Sequence, residues 1–87
     1  MRKTELTEEQ QKKFKWLMDA DTKNEDVKVS KFGGLIWEDG FWENGTWDRG
    51  TWENGTWEGG DMWSNLKQKY IKVKWNKDKK EFEEDLK

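Results

Sequence analysis

The chain has 87 residues, eight of them tryptophan, with no cysteine, histidine or proline and a formal net charge of −2. At this length it forms a single domain that buries only about 60% of its unfolded surface. The inventory excludes disulfides, removes thiol and imidazole zinc ligands, and leaves neither the commonest general base nor the best nucleophile. No run approaches the ~18 apolar residues of a membrane span and residues 1–9 carry no apolar signal stretch, so the expectation is a soluble, cytoplasmic or virion-associated protein.

In chain order, the sequence predicts a helix over residues 7–21. Thr7-Glu8-Glu9-Gln10 fits a capping box, in which the Thr7 hydroxyl accepts from the Gln10 backbone N–H while the Gln10 side chain reaches back. Phe14, Leu17 and Met18 form an apolar stripe at helical spacing, and Trp16 falls off it. Residues 22–26 read as a polar loop, Val27-Lys28-Val29-Ser30 alternates like a strand, and Gly33-Gly34 marks a turn.

Residues 36–60 form a repeat. Tryptophan recurs at Trp37, Trp42, Trp47, Trp52 and Trp57, and glycine at Gly40, Gly45, Gly50, Gly55 and Gly60. A period of five is neither helical nor a simple strand alternation, so every unit must contain a turn. Asn44-Gly45 and Asn54-Gly55 predict type I′ hairpin turns, in which both central residues need positive φ. Because a three-residue strand cannot serve such a turn at both ends, Glu43 is expected to pair with Thr46 and Trp47 with Trp52, giving a true period of ten. Beyond the repeat, Ser64 offers a cap for a short turn, residues 70–75 alternate as a strand, Asn76 to Lys79 is a turn, and residues 80–87 read as a short helix or frayed tail in preference to a short return strand. The expected fold is thus α+β: a small antiparallel β-meander of short Trp-bearing strands packed against an N-terminal helix, which would act as lid for the indoles.

The string Trp42-Glu43-Asn44-Gly45-Thr46-Trp47 resembles the designed tryptophan-zipper hairpins. The register of Gly45, Gly50 and Gly55 with Trp47, Trp52 and Trp57 also resembles the pentapeptide-repeat family, which implies the alternative fold, a short square right-handed β-solenoid with about 20 residues per coil. Short Trp-x-x-Gly-x arrays over residues 36–60 further resemble those of uncharacterised phage-like proteins, a resemblance that supplies no site residues.

Charge is segregated along the chain. From Trp37 to Asp61 seven acids face only Arg49, whereas from Leu66 to Lys80 seven lysines face only Asp78. A basic segment laid near the acidic repeat explains this pattern within the molecule, and the adjoining acids disfavour a nucleic-acid patch. Glu43, Asp48, Glu53 and Glu58 recur with the repeat, whereas a catalytic pair is singular, so no catalytic, metal or cofactor residue is assigned. The expected function is a non-enzymatic structural or protein-interaction module whose partner is a protein or a second copy of the chain. The five repeat tryptophans are then either its core ladder or its interaction surface. Open indoles would instead make a carbohydrate-binding module, and the acidic ladder suggests, as a third reading, a nucleic-acid mimic or inhibitor.

Overall fold

The structure, a computed structural model, describes residues 1–86. After a 3-10 turn at Lys3–Glu5 come two short helices, α1 (Glu8–Lys13) and α2 (Lys15–Asp19). The predicted capping box opens α1, with Gln10 N–H donating to Thr7 Oγ1 at 3.2 Å and Thr7 N–H to Gln10 Oε1 at 3.0 Å. Phe14 takes φ −107° and ψ 44° and breaks the expected single helix in two. The turn buries Phe14 and Leu17 together.

The expected loop at 22–26 is instead part of β1 (Asp21–Val29), which runs antiparallel to β2 (Leu35–Asn44) along its whole length. The predicted Gly33-Gly34 turn joins them, and Gly33 takes a φ of +84°. Beyond β2 the repeat continues as β3 (Thr46–Trp47), β4 (Thr51–Trp52), β5 (Thr56–Trp57) and β6 (Asp61–Ser64). After a turn at 65–68 follow β7 (Lys69–Asn76) and β8 (Glu81–Glu84), antiparallel to β6 and β7 respectively. Residues 81–84 are therefore a strand rather than the short helix or frayed tail expected over 80–87, and Lys87 lies outside the described residues. Trp75 stands across from Phe82, and burying that pair beneath the repeat stabilises a strand there.

The α+β class expected from the sequence is the class observed, but the repeat pairs differently from the expected meander. Its strands are parallel and always fifteen residues apart: Ile36 with Thr51 and Trp37 with Trp52, Phe41 with Thr56 and Trp42 with Trp57, Thr46 with Asp61 and Trp47 with Met62. A chain that spends five residues on each side and meets itself after fifteen has three sides per turn. Residues 35–64 thus make two stacked turns of a three-sided coil. Glu53 N–H donates to Trp37 O and Glu58 N–H to Trp42 O, both at 2.8 Å, and Asp61 N–H to Gly45 O at 3.1 Å.

Glu43 therefore does not pair with Thr46, nor Trp47 with Trp52, and the square coil of about 20 residues is not the geometry either. Two physical reasons account for the difference. Asn44 and Asn54 do not adopt the positive φ that a I′ turn requires; only the following glycines do, at +136° for Gly45 and +120° for Gly55, so the chain turns a corner instead of reversing. An open meander would also leave five indoles on one face, which helices of six and five residues are too short to cover. Winding the strands into a coil turns that face inward on itself.

The core is accordingly aromatic. Trp37, Trp42 and Trp47 meet edge to face in the first turn, with centroids 5.6, 6.4 and 5.4 Å apart. Trp52 stacks beneath Trp37 at 5.0 Å and Trp57 beneath Trp42 at 5.4 Å, their planes within 6° and 4° of parallel. Each such pair contributes about 0.5–1.5 kcal/mol beyond its area burial. In the third column Met62 takes the place of a sixth indole and packs, partly buried, against the core, with Phe82 6.5 Å from Trp47. Helix α2 closes one end of the coil through Trp16, 4.9 Å from Trp47 and 6.3 Å from Trp42. The β7–β8 hairpin closes the other through Phe82, 4.8 Å from Trp57 and 5.8 Å from Trp52.

Candidate interaction surface

The ten repeat positions singled out by the sequence are structural. Trp37 and Trp42 have no exposed surface, Trp47 and Trp52 are 2% and 6% exposed, and Trp57 is half-buried with its Nε1–H donating to Val73 O at 2.9 Å. They form the core ladder, and of the five only Trp57 keeps appreciable exposed surface. The indole N–H groups of Trp37, Trp42 and Trp52 have no protein hydrogen-bond acceptor among the described residues. Each such orphan costs about 1–3 kcal/mol, so packing around these rings must outweigh a standing penalty. The five glycines all take positive φ at the corners of the coil.

The repeat acids point outward. Parallel pairing sets Glu53 beneath Glu38 and Glu58 beneath Glu43, one strand spacing of about 4.8 Å apart. Lys28 lies 3.2 Å from Glu38 and Lys23 3.6 Å from Glu43, so the strand that offsets this column of charge is β1. The basic segment at 66–80, expected to do so, instead sends Lys67 to Glu84 at 2.6 Å and Lys79 to Glu83 at 3.8 Å. The acidic tail is adjacent to those lysines through the β7–β8 hairpin, and of the repeat acids Asp61 faces the basic segment, across from Lys72.

Glu25 is the buried charged residue among those described, at 4% exposure. Its carboxylate meets Arg2 Nε at 3.4 Å, Lys3 N–H at 3.4 Å and Thr22 Oγ1 at 3.3 Å. Burial pushes its pKa up, but hydrogen bonds from its own backbone, from Arg2 and from Lys3 together hold it below the ordinary carboxylate value. Lys3 is shifted down by burial, against the pull of Glu25, Asp21 and Asp19. Its Nζ donates to Leu17 O at 3.1 Å and Ala20 O at 2.8 Å, satisfying carbonyls at the end of α2. This cluster ties the N-terminal segment to β1 and α2, and its groups are consumed by those contacts.

The exposed aromatic cluster lies elsewhere, on the outer face of the sheet β3-β6-β7-β8. In β6 the five-residue register continues to Met62, which points inward, so Trp63 is one step out of phase and points to solvent. In β7 the alternation buries Val73 and turns Tyr70, Lys72 and Lys74 outward. Trp63 stands opposite Tyr70, 45% and 53% exposed, with their rings 5.2 Å apart and perpendicular at 76°. The Trp63 Nε1–H donates to Asn65 Oδ1 at 3.0 Å, which fixes the indole. On the same face Asp61 stands across from Lys72, and Lys74 across from Glu83.

On its far side Tyr70 borders a groove of about 510 Å³, lined also by Trp16, Asp19, Ala20, Gly45 and Thr46. Asp19 is paired with Lys15 at 3.0 Å. The sequence reading did not single out this surface. Its signal was present in the step of six from Trp57 to Trp63, which marks an indole leaving the core register where the coil ends.

Among the described residues no three carboxylates gather to hold a metal ion, and no helix is long and apolar enough to cross a membrane. Compared with protein families, curated proteins and solved structures, the chain matches none.

Proposed function

We propose that the protein is a non-enzymatic structural or protein-interaction module, a rigid coil whose work is done by its outer face. The observation that carries this reading is the division of the aromatic residues. The repeat tryptophans fill the interior, both ends of the coil are capped by aromatic contacts, and, apart from the isolated Phe32 and Phe41, the exposed aromatic rings are one contacting pair, Trp63 with Tyr70, on a sheet face. Tryptophan and tyrosine are the residues most often found at the energetic centre of an interface. A pair held in place by a hydrogen bond and by neighbouring strands loses little entropy when a partner docks. The repeat carboxylates, spread along the coil sides and partly offset by Lys23 and Lys28, serve solubility rather than chemistry.

The test is capture from a native lysate of the producing cell on immobilised wild-type protein, in parallel with Trp63→Ala and Tyr70→Ala. A species retained by the wild type and lost with both variants, which keep the wild-type melting transition, supports the reading. Equal retention by all three proteins counts against it.

A further inference from the structure

We infer that the groove between Trp16 and Tyr70, continued by Trp63, binds a neutral saccharide chain, so that what the module recognises on its partner is a glycan. The inference rests on the reading of the protein as a binding scaffold, and it adds the chemical class of the ligand.

Three properties of the surface favour this ligand. The first is shape and lining: a groove of about 510 Å³ has Trp16 and Tyr70 in its walls, Ala20 and Gly45 as small residues between them, and Thr46 and Asp19 as polar groups. That volume lies within the ~300–1,000 Å³ of small-ligand sites, which join aromatic walls to a few polar groups that fix orientation. A pyranose ring has that dual character, with an apolar C–H face for an aromatic ring and hydroxyls around its edge for carboxylate, hydroxyl and amide groups.

The second property is continuity. Tyr70 lines the groove on one side and touches Trp63 on the other at 5.2 Å, so aromatic surface runs from the groove onto the open sheet. An extended chain of sugars can follow such a path, whereas a single small molecule would use the groove alone. The third property is charge. In strand register Asp61 stands across from Lys72 and Glu83 across from Lys74, and Asp19 is bonded to Lys15, so an acid occupies the position facing each outward lysine of β7, although Glu83 itself is held by Lys79 and Asn76. Binding to a phosphate backbone requires uncompensated positive charge along the track of the strand. This face offers balanced donors and acceptors instead, which suits a neutral, hydroxyl-rich ligand.

The experiment is titration of the purified protein, followed by two-dimensional amide and indole NMR, with cellohexaose, chitohexaose and maltohexaose in turn. The expected result is that at least one of them shifts the Trp16 and Trp63 indole signals and the Thr46 and Tyr70 amides. Tyr70→Ala should weaken that binding about tenfold or more, the loss typical of an aromatic anchor, while Tyr70→Phe stays within about threefold of the wild type. Spectra of both variants that overlay the wild type away from the groove establish that the fold is intact.

The inference is overturned if none of the three sugars shifts these signals at about 10 mM, or if binding is indifferent to Tyr70→Ala. A protein partner whose capture depends on Trp63 and survives complete enzymatic deglycosylation also overturns it, while leaving the scaffold reading in place. Sugar binding dependent on Tyr70, with no partner captured, leaves the inference standing and sinks the protein-partner reading instead.

Discussion

Gly55 shows most directly why the repeat is built from tryptophan and glycine. Its φ is +120°, and a Cβ placed there would lie 2.6 Å from the Gly40 carbonyl oxygen and 2.9 Å from Trp37 Nε1. Both contacts come from the turn of coil above, so glycine is required by the stacking and not only by the bend. Gly55→Ala should therefore cost at least the ~1–3 kcal/mol of a strained backbone, with the clash added. Gly59→Ala is the internal control, because its Cβ would come no nearer than 3.7 Å to Glu43 O and its φ is not positive. It should change stability by no more than about 0.5 kcal/mol, and equal losses at the two sites in urea unfolding would refute the stacked corner. Glu25 gives a second expectation at this scale. A carboxylate whose folded pKa is depressed adds stability above its unfolded value, and that stability fades as the pH falls through the folded one. Glu25→Gln should thus lower stability at neutral pH and flatten its acid limb, as followed by melting temperature against pH. A variant as acid-sensitive as the wild type would show that Glu25 contributes nothing to that limb.

At the scale of elements, the regular pieces were legible wherever a local rule governs them. The Thr7–Gln10 capping box, the strand around Tyr70 to Trp75 and the turn at Asn76, whose Oδ1 accepts from the Asp78 and Lys79 N–H groups, formed as read. The pairing of the repeat was not legible. A five-residue period fixes where each corner falls but not how many corners complete a turn, and that number depends on how many indoles fit across the interior. Three fit, at 5.4 to 6.4 Å between centroids. The strand at Glu81–Glu84 was the less favoured of two readings for a related reason, since Phe82 is held by the indoles above it rather than by any local preference. It follows that Phe82→Ala should expose the lower end of the coil. For this half-buried ring we expect a loss of about 2 kcal/mol, below the ~3–5 kcal/mol of a fully buried phenylalanine. The Trp57 indole should also become easier to quench with acrylamide. An unchanged melt with unchanged quenching would mean that the β7–β8 hairpin is not a cap.

At the scale of the whole molecule, an aromatic interior stands in for the disulfides and the large aliphatic core by which small proteins are commonly stabilised. Two turns of backbone ladder enclose five indoles, β1 pairs along the edge of β2, and Trp16 and Phe82 cover the two ends of the aromatic stack. The candidate surface was harder to read from sequence than the core. Trp63 differs from the repeat tryptophans only in phase, and Trp16 and Tyr70 come from segments more than fifty residues apart that meet only once the coil has closed. Everything proposed for that surface depends on the fifteen-residue stacking that brings it together. The most direct test is detection of scalar couplings across the backbone hydrogen bonds in isotope-labelled protein. The account predicts correlations from the Glu53 amide nitrogen to the Trp37 carbonyl carbon, and from Glu58 to Trp42. Correlations linking Glu43 with Thr46 and Trp47 with Trp52 would instead reveal an antiparallel meander and contradict it.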